Sequence, residues 1–353
     1  MSVRESNFPA MSPSGAHNAT PKFPGSPPQP HDRYFRWVMS RPADAASELR
    51  AVLPKSVVDR MDWDHLELQS GSLLTKELAA LYTDLLYRTR IDDRDAYIFI
   101  LLEHQSSEDR FMALRMLEYT VNIWKRHLAD NSNARALPAV VPVVVYSCHD
   151  GKPWREPTEL TELIDLDDDL REALKPYLPS YGFVLDDIAA LDVRELLARE
   201  ELTATVSVML TLHKIAYNNP KLVEQLVLLA PVLARMAADP AGRDDLITAL
   251  NYLIYVGGTS GSDLQPLLDQ LDPQTKEVFM TIAEELEARG EARGEARGEA
   301  RGEARVLLQQ LAFKFGPLPE SVTETVYAAR PGDVRKWALR ILTADTLAAV
   351  FDR

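Results

Sequence analysis

Two uninterrupted apolar runs, Tyr97-Ile98-Phe99-Ile100-Leu101-Leu102 and Ala139 to Tyr146, restrict the fold more than any other feature. Each has the length of a strand and lacks the alternation of a strand with one wet face. Each therefore reads as a strand covered on both faces, the second interrupted by Pro142. Between them Phe111, Leu114, Leu117, Val121 and Trp124 recur at three- and four-residue steps, giving an amphipathic helix to about His127. A helix joining two buried strands predicts a crossover with the strands parallel.

The flanking sequence extends this unit. Leu66 to Ser70 alternates apolar and polar residues, and Ala80 to Tyr87 forms a second strand-like segment with Asp92-Asp93 in the turn beyond. Gly182 to Asp187 adds a further strand. Upstream, Asp32 can cap the pattern Tyr34, Phe35, Trp37, Val38, and a short helix runs from Pro42 to Leu53, ended by Pro54. Residues 1–30 hold seven prolines among Ser, Gly and Asn, a composition expected to be disordered. The expected division is an α/β domain over 31–190, a helical extension over 191–286, a spacer over 287–305 and a small helical domain over 306–353.

That spacer is Glu-Ala-Arg-Gly, repeated four times from Glu287 to Gly302 and begun again at Glu303. A four-residue period stacks Glu over Glu and Arg over Arg, so opposite-charge pairs at i,i+3 or i,i+4 are missing. Each interior Gly costs about 0.8–1 kcal/mol of helix stability relative to Ala. A solvated spacer of marginal helix is expected, with a helical stalk that joins copies into a homo-oligomer as the alternative.

Charge is distributed unevenly. The chain carries a formal net charge of -14. Residues 31–150 hold 15 Lys and Arg against 18 Asp and Glu, and residues 151–286 hold 11 against 24. The acidity thus sits mostly in the helical region, which tolerates nucleic-acid binding without arguing for it. One cysteine, Cys148, cannot form an internal disulfide, and no Cys/His cluster suggests zinc. No apolar run reaches membrane-spanning length and no basic-then-apolar leader opens the chain, so a cytoplasmic protein is expected.

The chemistry-bearing residues lie at strand ends. Asp84 and Glu103 each sit near the end of a predicted strand. If those strands are antiparallel neighbours, the two carboxylates fall close together and offer hard oxygen ligands to a divalent cation. Glu103 directly follows an apolar run, where an uncompensated charge is costly. Gln105, two residues on, shares its face. Taken alone, such a pair also fits strand-end residues meeting solvent. Asp32 reads as a helix cap or a further carboxylate. Arg115 reads as a DNA-phosphate contact, with Tyr119 one turn along the same face, or as the ion-pair partner of Glu118 or Asp109.

Several separated motifs occur in one order: His31-Asp32-Arg33-Tyr34-Phe35, Leu68-Gln69-Ser70-Gly71-Ser72, Tyr82-Thr83-Asp84-Leu85-Leu86-Tyr87 and Leu102-Glu103-His104-Gln105-Ser106-Ser107. Leu114-Arg115-Met116-Leu117-Glu118-Tyr119 and Leu137-Pro138-Ala139-Val140-Val141-Pro142-Val143-Val144-Val145-Tyr146 follow. Over about residues 31–190 the chain resembles the recombination-promoting nuclease / putative transposase family. The array and Phe315-Gly316-Pro317-Leu318-Pro319 are similar to C-terminal regions often joined to it. The resemblance implies an α/β restriction-endonuclease-like, PD-(D/E)xK core: a mixed sheet flanked by helices, followed by an all-helical C-terminal region. It implies Mg²⁺-dependent DNA cleavage, with Mn²⁺ as an alternative ion, linked to recombination or transposition. Asp84 and Glu103 take the metal-binding positions. Gln105 stands where most of the superfamily has Lys, replacing an ammonium by a neutral amide. The competing implication is a catalytically decayed transposase relative that binds DNA or protein.

Overall fold

The structure is a computed structural model that describes residues 30–69, 85–92, 94–104, 108–148, 150–239, 242–259 and 261–351. It divides into two units, Met1–Lys276 and Glu277–Arg353.

The first unit is α/β, built on a five-stranded mixed sheet in the order β1 (Glu67–Leu68), β2 (Leu85–Ile91), β3 (Arg94–His104), β4 (Ala139–Ser147), β5 (Val184–Asp187). The β1–β2 and β2–β3 pairs are antiparallel; β3–β4 and β4–β5 are parallel. The crossover inferred from the two apolar runs is present, with helix α3 (Met112–Asp130) between β3 and β4. Pro142 does not end β4. It pairs in register with Phe99, and the strand continues through it although Pro brings no N–H to the ladder.

Strands β2 and β3 exceed their apolar segments. β2 runs on through Arg88, Thr89 and Arg90, where exposed arginines flank a buried threonine. β3 begins three residues before Tyr97, and Asp95 there accepts a hydrogen bond from Arg88 at 3.0 Å. Polar residues of a hairpin end hide the strand from a reading based on hydrophobicity. The turn itself is where Asp92-Asp93 predicts it, with Asp92 in the left-handed region (φ 47°).

Each sheet face has its own cover. On one, Met112, Met116, Tyr119 and Ile123 of α3 pack with Leu86, Val144, Leu160 and Phe183. The opposite face meets α1 (Pro30–Met39), α2 (Pro42–Val52) and α4 (Ala204–Ile215). There the Tyr87 hydroxyl donates to the Met39 carbonyl at 2.6 Å and the Ser147 hydroxyl to the His213 carbonyl at 3.0 Å. Further helices complete the unit, among them α5 (Ala230–Ala238) and α6 (Gly242–Gly257). The apolar stretch from Leu222 to Met236 is divided between a short helix, Leu222–Leu226, and α5. Pro231, in the first turn of α5, lacks the N–H that continuation requires.

In the second unit the Glu-Ala-Arg-Gly array is helical, within α7 (Pro273–Phe315). Gly316, with φ +86°, ends α7, and its N–H bonds back to the Ala312 carbonyl at 3.0 Å. Ala304, Leu307 and Leu311 form a core with Val326, Val334, Ile341 and Val350. Two glutamates of the array, Glu299 and Glu303, find a partner outside it. Arg335, on α8 (Pro331–Arg340), donates to Glu303 at 2.8 Å and to Glu299 at 3.4 Å.

Candidate functional site

The sheet register brings the predicted strand ends together. Leu85, the first residue of β2, pairs with Ile100, and Glu103 lies three residues further along β3. The condition set by the sequence, that the strands leading from Asp84 and to Glu103 be antiparallel neighbours, is therefore met by β2 and β3. Asp84 and Gln105 themselves lie outside the described residues. Across the parallel half, Glu103 pairs in register with Tyr146, and Tyr146 with Asp187. Three potential ligands or proton donors thus occupy one row at the carboxyl ends of β3, β4 and β5.

Tyr146 and Asp187 are fixed by their surroundings. The buried Tyr146 ring meets Trp154 edge-on at 5.0 Å between centroids. Burial raises the Tyr146 pKa, with Cys148 and the nearby Glu108 and Asp187 charges acting in the same direction, so the phenol keeps its proton at neutral pH. Asp187 accepts from the Trp154 N–H at 2.8 Å and from the Ala190 N–H at 3.1 Å, which ties it to its own loop.

Near Glu108, Asp109 organises the start of α3. Its carboxylate accepts from the Phe111 N–H and from Arg115, both at 2.9 Å. Arg115 is thus the partner of Asp109, the structural alternative raised by its spacing. Tyr119 is 1% exposed within the core beneath α3, so the surface contact expected of it is replaced by packing. Asp32 lies in the first turn of α1, not at its cap, because the helix already begins at Pro30. There it favours the helix dipole and adds to the burial that raises the pKa of Tyr252.

Charged residues that sequence periodicity did not single out form a second cluster under α2. Glu48 is fully buried, and burial followed by the Asp186 charge pushes its pKa well up. Asp186 accepts from Arg199 through both oxygens. An acidic residue inside an otherwise apolar helix face was the available signal. Among the described residues no group of three or more His, Cys, Asp or Glu is arranged to hold a metal ion. The donor set named from sequence, two carboxylates at adjoining strand ends, has the hard oxygen chemistry that Mg²⁺ requires. Among the described residues no helix is long and apolar enough to cross a membrane.

Comparison with known proteins follows the same outline. The model of the family described as "Putative transposase, YhgA-like" matches residues 29–239. Recombination-promoting nuclease RpnD of Escherichia coli O157:H7 is 28% identical over 259 residues, covering 73% of this chain and 94% of that protein. Recombination-promoting nuclease RpnA of E. coli K12 is 27% identical over 262 residues, 74% of this chain and 84% of its own. The inactive recombination-promoting nuclease-like protein RpnE of the same strain is 29% identical over 262 residues, 74% and 82%. No solved structure matches the chain. With a family model spanning well over half its length, on the elements that form the sheet and its flanking helices, this chain belongs to the YhgA-like transposase family.

Proposed function

We propose that this protein is a metal-dependent DNA endonuclease with a PD-(D/E)xK core, acting in recombination or transposition in the cytoplasm. The observation that carries the reading is the β2–β3 register: the strand following Asp84 pairs directly with the strand that carries Glu103 one residue before its end. The relatives named as recombination-promoting nucleases support the same activity. Asp84 and Glu103 would hold Mg²⁺, with Mn²⁺ as an alternative. The bound ion would neutralise phosphate charge and make a water nucleophilic. Gln105 would orient that water through its amide, without a charge of its own.

The test is nicking of supercoiled plasmid by purified protein with Mg²⁺. Asp84→Ala and Glu103→Ala abolish it while melting with the wild-type transition. Cleavage that survives both substitutions, or survives EDTA, overturns the proposal. The second reading is a decayed relative that binds DNA or protein without cutting, favoured by Gln105 and by the inactive relative RpnE. It requires that the wild type neither nick DNA nor bind Mg²⁺ or Mn²⁺ in calorimetry.

A further inference from the structure

The row across β3, β4 and β5 sets one hydroxyl between two carboxylate residues. Tyr146 pairs in register with Glu103 on one side and with Asp187 on the other, and register partners share a face of the sheet. The Tyr146 hydroxyl is buried and, among the described residues, has no hydrogen-bond partner. Buried tyrosine hydroxyls usually find one, because a bare polar group in the interior is costly.

The described neighbours do not supply it. Asp187 is held by the N–H groups of Trp154 and Ala190. Trp154, edge-on to the Tyr146 ring, has a donor but no acceptor on its indole, and gives that N–H to the Glu156 carbonyl at 2.6 Å. Cys148 and Ala189, packed beside the ring, bring a thiol, which accepts weakly, and a methyl group. Glu108 acts on the hydroxyl electrostatically without accepting from it. The remaining neighbour in the row is Glu103, one parallel-strand spacing of about 4.8 Å away.

Resting on the nuclease reading above, we propose that Tyr146 is a positioning residue for Glu103. Its hydroxyl donates to one oxygen of the Glu103 carboxylate and leaves the other for the divalent cation. A ligand fixed in this way presents its charge in one orientation, and the donor that fixes it contributes to metal affinity. The buried hydroxyl is then a group kept for the site at a cost to the fold.

The experiment compares wild type, Tyr146→Phe, Glu103→Asp and the Tyr146→Phe/Glu103→Asp double variant. Mn²⁺ affinity is read by calorimetry, cleavage with supercoiled plasmid in Mg²⁺, and the fold by thermal melting without metal. Tyr146→Phe removes the hydroxyl alone, so it should melt at or above the wild-type temperature. Its Mn²⁺ affinity and its cleavage rate should each fall about 10- to 100-fold, as when the hydrogen-bond partner of a metal ligand is lost. Glu103→Asp draws the carboxylate back by one methylene, so adding Tyr146→Phe to it should cost little more. Losses that multiply in the double variant overturn the proposal, as does a Tyr146→Phe melting temperature below wild type, which would place the hydroxyl's partner within the fold. A wild type that binds Mn²⁺ and cuts, matched in both by Tyr146→Phe, overturns this proposal alone. A wild type that neither binds Mn²⁺ nor cuts overturns the nuclease reading, and this proposal with it.

Discussion

Arg199 donates to both carboxylate oxygens of Asp186, at 3.0 and 2.6 Å, while Glu48, with no donor to either of its oxygens, shares the same buried site. Two carboxylates facing one guanidinium cannot both ionise cheaply. Glu48 bonds to Asp186 only as an acid, donating its O–H. Because its folded pKa is raised, its stabilising contribution is present below its ordinary value of 4.5 and is lost as pH rises through the folded value. Glu48→Gln keeps a donor and cannot ionise. It should match wild type near pH 5, exceed it by about 1–2 kcal/mol at pH 9, and flatten the alkaline limb of a urea-unfolding series.

Removing the other carboxylate has the opposite sign. Asp186→Ala removes both hydrogen bonds that Arg199 makes to it and leaves Glu48 as the carboxylate facing the guanidinium, and should cost about 1.5–3 kcal/mol at pH 7, read in the same denaturation assay. A loss under 1 kcal/mol would mean that solvent already reaches the pair.

His213 gives an acid-side test. Its ring packs against both Tyr34 and Tyr252, at 5.6 and 5.2 Å, in a cluster where the two tyrosine rings lie 4.9 Å from each other, and its nitrogens face the Met209 and His31 carbonyls at 2.8 and 3.1 Å. Neutral imidazole has one N–H to share between those carbonyls, and burial, the larger influence, holds the pKa below the usual 6.5. A lowered pKa means that stability is complete above the unfolded value and falls as pH drops below about 6.5. The melting temperature should therefore decline between pH 7 and pH 5. His213→Phe, which keeps the stack, should decline less over that interval.

Tyr119 distinguishes core from surface. Tyr119→Ala opens a cavity beneath α3 and should destabilise by about 3–4 kcal/mol in urea unfolding. If the ring instead met DNA, the substitution would weaken binding while leaving the unfolding midpoint in place.

These cases show what sequence pattern can and cannot reveal. The apolar runs at 97–102 and 139–146 gave away β3, β4 and their parallel crossover; in β4, Val143 to Tyr146 are buried on both faces, which leaves no room for charge. The polar half of the β2–β3 hairpin was hidden, since Arg88, Arg90 and Asp95 are strand residues held by pairing, not by burial. Spacing singled out Glu103 as a candidate because its strand context is local. The Ser147–His213 bond, which ties β4 to α4 across 66 residues, left no trace in any local pattern. Tyr119 misled for a related reason: helical periodicity gives the common face of two residues but not which way that face turns.

The Glu-Ala-Arg-Gly array supports a last prediction. A Cβ added at Gly294, Gly298 or Gly302 meets nothing within 4 Å, so alanine enters without a clash. In the helix, each Gly→Ala change should contribute about 0.8–1 kcal/mol, chiefly by restricting the unfolded chain. The triple variant should therefore raise the unfolding free energy of the C-terminal unit by about 2–3 kcal/mol, read by circular dichroism during urea titration of the full chain. Arg335→Ala, which breaks exposed contacts to Glu299 and Glu303, should leave the unfolding midpoint nearly unchanged in the same assay. A triple variant with unchanged helicity and midpoint would show that the array contributes nothing to the cooperative unit. The Glu-over-Glu stacking would then be strong enough to cancel the gain from alanine.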